Sequence, residues 1–134
     1  MSALVVDTSA MVAILTGEPD RDWLAARLAA ATEAVIAAPI ALELGIVVEA
    51  RAPAAVGISR RALRDARIST VPFDDDLAER ALDAWRRFGK GRHPAGLNFG
   101  DCCTYALAER TGYPILCVGD NFGRTDLPVL QGGT

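Results

Sequence analysis

Four acidic residues stand at the ends of apolar segments, or where an acid is out of place. Asp7 closes the run LVVD and is followed by two hydroxyl residues, Thr8 and Ser9. Asp120 follows the run ILCVG. Glu43 lies inside PIALELGIVV, between Leu42 and Leu44, with no arginine or lysine within a helical turn. Asp101 lies in LNFGDCCTYALA, three residues after Asn98. Singly, three of them have ordinary readings. Asp7 and Asp101 suit helix starts, and Asp120 suits a turn. Glu43 does not, because an unpaired acid in an apolar helix is costly unless something pairs or coordinates it.

Together the acids point to one chemistry. Carboxylates brought near one another repel, and their ionised forms need a counter-charge. A hard divalent ion such as magnesium or manganese takes oxygen ligands of this kind, completed by water and phosphate. In phosphodiester hydrolysis such an ion lowers the pKa of a water, orients it and neutralises charge at phosphorus. Histidine and cysteine are not required. The single histidine, His93, excludes a multi-histidine zinc site. Cys102, Cys103 and Cys117 form no C-x-x-C pattern and read as small buried hydrophobes in a reducing compartment.

The elements that must position these acids follow from periodicity and breakers. Residues 4–6 read as a short buried strand. Thr8 and Ser9 start a helix through Met11, Val12 and Leu15 that Gly17 stops. A second helix carries Trp23, Leu24 and Leu28. Residues 34–37 form a strand, and Pro39 opens a third helix through Leu42, Leu44, Val47 and Val48, interrupted by Pro53. A fourth helix spans about residues 55–66, and a strand follows at 68–71. A fifth helix starts at 74–76, with Leu77, Ala81, Leu82 and Trp85 on its apolar side. Residues 88–100 form a glycine-dense loop. Asp101 opens a sixth helix, residues 115–118 a fourth strand, and Val129 and Leu130 an edge strand before a glycine-rich, flexible tail. Strands alternating with helices predict a parallel sheet covered on both faces, with ligands at the carboxyl ends of its strands.

With 134 residues the chain suits one domain over residues 1–134, large enough to bury a core without disulfides. It is 51% hydrophobic and 23% charged, too apolar for disorder. No apolar run approaches membrane-spanning length and no signal segment is evident, so a cytoplasmic location is expected. The net charge of -3 does not advertise nucleic-acid binding, yet arginines cluster at Arg60, Arg61, Arg64 and Arg67, and again at Arg86, Arg87 and Arg92. The second group borders the loop that carries Lys90, Arg92 and His93, which are placed to meet phosphate.

VVDTSAMVAIL, the glutamate of APIALELGIVVEAR, KGRHPAGLNFGDCCTYALAE and ILCVGDNFGRTDL, taken in order, resemble the PIN-domain ribonucleases, and among them the VapC-like toxins of bacterial toxin–antitoxin pairs. The resemblance runs from Leu4 to about Leu127. It implies a three-layer α/β/α sandwich with a small, mainly parallel central sheet, and a metal-dependent endoribonuclease that uses Mg2+ or Mn2+. By motif, Asp7 matches the first acid, Glu43 the second and Asp101 the third. Many members carry an aspartate where Asn121 stands here, so the fourth ligand falls to Asp120, with Asp126 second. Thr8, Ser9 and Asn98 match positions that hydrogen-bond the acids or their waters. The resemblance also implies a homodimer, a VapB-like antitoxin as a separate chain, and a higher toxin–antitoxin assembly. Two alternatives remain at this stage. A phosphotransfer domain would use Asp7 as acceptor, but the D-x-D signature is missing. A non-catalytic PIN-like binding module would be expected to have lost the acids.

Overall fold

The computed structural model describes residues 2–132. The chain begins with β1 (Ala3–Val6), α1 (Thr8–Thr16) and α2 (Arg21–Ala30). It continues through β2 (Glu33–Ala37), α3 (Ala38–Arg51), α4 (Ile58–Asp65), β3 (Ile68–Val71) and α5 (Asp75–Phe88). It ends with α6 (Phe99–Thr111), β4 (Ile115–Val118), a 3-10 turn at Phe122–Arg124 and β5 (Val129–Gly132). The five strands form one sheet in the order β3-β2-β1-β4-β5, and every pairing is parallel.

The short strands hold because their side chains are buried on both faces. Successive residues of a strand point to opposite sides, yet Leu4, Val5 and Val6 of β1 are all essentially inaccessible, as are Ile115, Leu116 and Cys117 of β4. Continuous apolar runs of this kind mark a sheet sandwiched between helical layers. β1 lies at its centre. Val5 pairs with Ile115 and Val6 with Leu116, and the ladder runs on to Asp7, whose N–H donates to the Leu116 carbonyl at 3.1 Å. The first acid is thus fixed to the end of two central strands. Gly17 ends α1 in the left-handed region, at φ 71°, where glycine carries no Cβ penalty.

Several boundaries differ from the sequence reading. α4 starts at Ile58, not 55, because residues 52–58 are taken up in successive turns, Ala55 N–H to Ala52 O and Ile58 N–H to Ala55 O. α6 starts at Phe99, two residues before Asp101, because Asn98 is the better cap. Trp23 is 41% exposed and only Leu24 of α2 is fully buried. α2 packs on the core along one side only, which takes Leu24 and leaves its neighbour Trp23, about 100° round the helix, outside. Leu42, Leu82 and Trp85 are likewise largely exposed. β5 reaches Gly132, further than expected, and the remaining tail residues, 133–134, lie outside the described residues.

The sheet's dependence on close packing at its centre gives a direct test. Leu116→Ala deletes a side chain with 0% exposure and is expected to lower the unfolding free energy by about 2–5 kcal/mol. The reading is a lower urea midpoint at unchanged slope.

Candidate metal and nuclease site

The carboxyl edge of β1 delivers Asp7 into a set of hydroxyl donors. Asp7 is the N-cap of α1, in extended backbone, and accepts from the Ser9 N–H at 3.0 Å through Oδ2. The Ser9 hydroxyl donates to the same oxygen at 2.7 Å. That hydroxyl is itself held by the Val118 N–H, 3.0 Å away at the end of β4. The other oxygen, Oδ1, accepts from the Thr104 hydroxyl of α6 at 2.8 Å. Asp7 is only 5% exposed, so its charge is met by donors and by the α1 N-terminus rather than by water.

Glu43 projects from α3 beside it. Its Oε1 accepts a short hydrogen bond from the Thr8 hydroxyl. The start of α6 makes room for this carboxylate. A Cβ on Gly100 would lie 3.0 Å from both Glu43 oxygens, so glycine is what permits the approach. Asp101 follows at once, as the third residue of α6. Asn98 Oδ1 accepts from the Asp101 N–H at 2.9 Å, and Asp101 Oδ2 accepts from the Asn98 N–H at 3.0 Å, a reciprocal capping box.

The three acids feel one another. Burial pushes the Asp101 carboxyl up to about 6. The negative charges of Asp7 and Glu43 push the same way, while the Asn98 N–H and the Asn121 side chain pull it down. Among the described residues, no arginine, lysine or histidine is ion-paired with any of the three. Nor, among those residues, are three acidic, cysteine or histidine side chains gathered tightly enough to hold an ion as they stand. The acids are therefore neighbours within repulsion range, each turned to its own hydroxyl or amide donor. The donor set is nonetheless one of hard oxygens lacking a counter-charge, which is what Mg2+ or Mn2+ suits.

The other expected residues lie differently. Asp120, in the loop after β4, is exposed and pairs with Arg124 at 2.8 Å. Asp126 is held at 2.6 Å by the Tyr105 hydroxyl and at 2.9 Å by Arg87. The hydroxyl first, and then the guanidinium, keep its carboxyl below the usual range. Neither acts on Asp101 as Asp7 and Glu43 do. The loop after α5 is pinned where Lys90 N–H donates to Leu97 O and Leu97 N–H to Phe88 O, both 2.9 Å. On it, Arg92 stacks over Trp85 at 4.2 Å, and His93 Nδ1 accepts from the Ala95 N–H. Burial pushes the thiols of Cys102 and Cys117 up, to about 11 and about 12, in keeping with inert, protonated side chains. Thr104 and Asn121 were not expected at the site. A hydroxyl within CCTYALA was the only signal for the first, and for the second an amide where aspartate was anticipated.

Comparison with known proteins agrees with this fold. The PIN domain family model matches residues 4–127. Ribonuclease VapC of Mycolicibacterium smegmatis is 44% identical over 129 residues, covering 96% of this chain and 100% of that protein. Ribonuclease VapC36 of Mycobacterium tuberculosis is 44% identical over 126 residues, covering 92% and 91%. Among solved structures, the sarcin-ricin loop cleaving toxin VapC20 of Mycobacterium tuberculosis superimposes with a TM-score of 0.74 at 15% identity, covering 96% of this chain and 99% of that one. VapBC2 from Rickettsia felis, bound to a DNA fragment from its promoter, gives 0.74 at 14% identity, covering 97% and 98%. The chain belongs to the PIN-domain family.

Two outcomes follow from the site. Because Asp101 binds its proton more tightly folded than unfolded, where an aspartate titrates near 3.8, the folded state holds more protons between about pH 4 and 6. Its contribution to stability is therefore lost as pH rises through that window. In chelator, melting temperatures of Asp101→Asn should gain on the unsubstituted chain from pH 4 to 7, and parallel curves would refute the assignment. Gly100→Ala should stay folded but displace Glu43, lowering any metal-dependent RNA cleavage more than it lowers the melting temperature.

Proposed function

We propose that this PIN-domain chain is a metal-dependent endoribonuclease and the toxin of a toxin–antitoxin pair. The observation that carries the reading is the gathering of Asp7, Glu43 and Asp101 at one sheet edge, without a pairing cation. The names of the relatives support it: ribonuclease VapC at 44% identity, and structures described as toxin–antitoxin complexes. Asp7, Glu43 and Asp101 are the ligands of Mg2+, with Mn2+ as a substitute. Asp120 is the fourth acid, since its exposed pair with Arg124 is readily given up. Asp126, committed to Tyr105 and Arg87, is the lesser choice.

The ion, when bound, supplies an activated water and neutralises charge at phosphorus. The chain's own groups do the rest. Thr8 and Ser9 orient Glu43 and Asp7 through their hydroxyls. Asn98 fixes Asp101 at the head of α6. Lys90, which has no ion-pair partner among the described residues, reaches for RNA phosphates with Arg92 and His93 beside it. One nuclease domain spans residues 1–134. It acts in the cytoplasm on RNA as a homodimer, restrained by a VapB-like antitoxin that is a separate chain, in a larger assembly of both. Among the described residues no helix is long and apolar enough to cross a membrane.

The test is cleavage of single-stranded RNA by purified protein with Mg2+. Asp7→Asn and Asp101→Asn should each lose roughly 10²-fold or more in rate, and chelation should abolish cleavage. Equal cleavage by these variants would sink the reading. A phosphoryl group on Asp7 after incubation with a phosphate donor would favour phosphotransfer instead.

A further inference from the structure

The site contains a buried hydroxyl outside the residues that the sequence motifs named. Thr104 is wholly inaccessible, at 0% exposure, and sits one turn beyond Asp101 on α6, on the same side of the helix. A helical threonine usually returns its proton to the carbonyl four residues back. Two threonines of this chain do that: Thr16 donates to Val12 O at 2.7 Å and Thr111 to Leu107 O at 2.9 Å. Thr104 does not. It donates across 97 positions of sequence to Asp7 Oδ1, at 2.8 Å. The residues around it, Cys102, Cys103, Tyr105, Ala106 and Leu107, are buried, so no water competes for that proton.

The consequence is geometric. Asp7 belongs to the β1–α1 junction and Asp101 to α6, two elements joined at this edge by that hydroxyl. Ser9 occupies Oδ2 from one side, and Thr104 fixes Oδ1 from the other. The Asp7 carboxylate therefore cannot turn without breaking a buried hydrogen bond to the helix that carries its partner acid. We propose that Thr104 is a positioning residue, whose hydroxyl locks Asp7 in register with Asp101 so that the two carboxylates receive one divalent cation. This rests on the nuclease reading above and adds to it a determinant that lies outside the set of acids.

The test is Mn2+ binding to the RNA-free protein by calorimetry, with the metal-free melting temperature as the check on folding. Thr104→Val keeps the shape and removes the donor, and should weaken Mn2+ binding roughly 10–100-fold. Thr104→Ser should restore most of it. Thr111→Val, on the same helix but bonded to its own backbone, should leave it unchanged. A folded Thr104→Val that binds Mn2+ as tightly as the unsubstituted chain overturns the proposal. If the valine variant does not fold, Thr104→Ser and Thr104→Cys, alike in size and unlike as donors, decide: equal Mn2+ affinity overturns it. An unsubstituted chain that binds no Mn2+ overturns the nuclease reading, and this inference with it.

Discussion

An ionised carboxylate at the end of a buried strand must be compensated where it stands, and the arrangement of this protein around Asp7 follows from that. Water cannot do it, because the residue is almost fully enclosed. No basic side chain among the described residues does it either. The charge is met instead by two hydroxyls, a backbone N–H and the head of α1. Charge-assisted hydrogen bonds of this sort are short and strong, and a buried carboxylate stripped of them is heavily penalised. Two of these donors belong to Ser9 in the turn into α1, whose hydroxyl is itself held from the end of β4, and the third comes from the middle of α6. The strand order that places β4 beside β1 is a condition for that convergence.

The acids divide the electrostatic burden unequally. Asp7 is well supplied with donors, whereas Asp101 sits where burial and two neighbouring charges raise its pKa to about 6. Asp101 is therefore the carboxylate that burial and its neighbours bias toward holding a proton. Glu43 is tied to Thr8 and packed on the bare backbone of Gly100. A cluster that is electrostatically strained on its own is suited to a cation, since the same repulsion becomes attraction once a positive charge is shared.

Much of this was legible in the chain. The buried strands at 4–6 and 115–118 were readable because strands covered on both faces are uniformly apolar, and the start of α3 because Pro39 fits a first helical turn. Glu43 stood out because an unpaired acid is anomalous in an apolar helix, whereas Asp7 and Asp101, ordinary singly as helix starts, were named from the ordered motifs that resemble the PIN domain. What escaped has a common cause. Which of Trp23 and Leu24 faces inward is decided by what α2 packs against, not by local pattern. Thr104 looks like an ordinary mid-helix threonine until α6 is laid against β1. Asp120 and Asp126 could not be ranked from sequence, because their partners Arg124, Arg87 and Tyr105 are chosen by the path of the loop.

The hydrogen bonds that assemble the acid cluster span most of the chain: 35 positions from Thr8 to Glu43, 97 from Asp7 to Thr104, and 109 from Ser9 to Val118. Contacts so distant in sequence close late, and only when the segments at both ends exist. During synthesis the Asp7 carboxylate emerges well before Thr104 and Val118, and waits for both. A polypeptide translated only that far thus lacks the acid cluster proposed above to cleave RNA, which forms once β4 is laid beside β1.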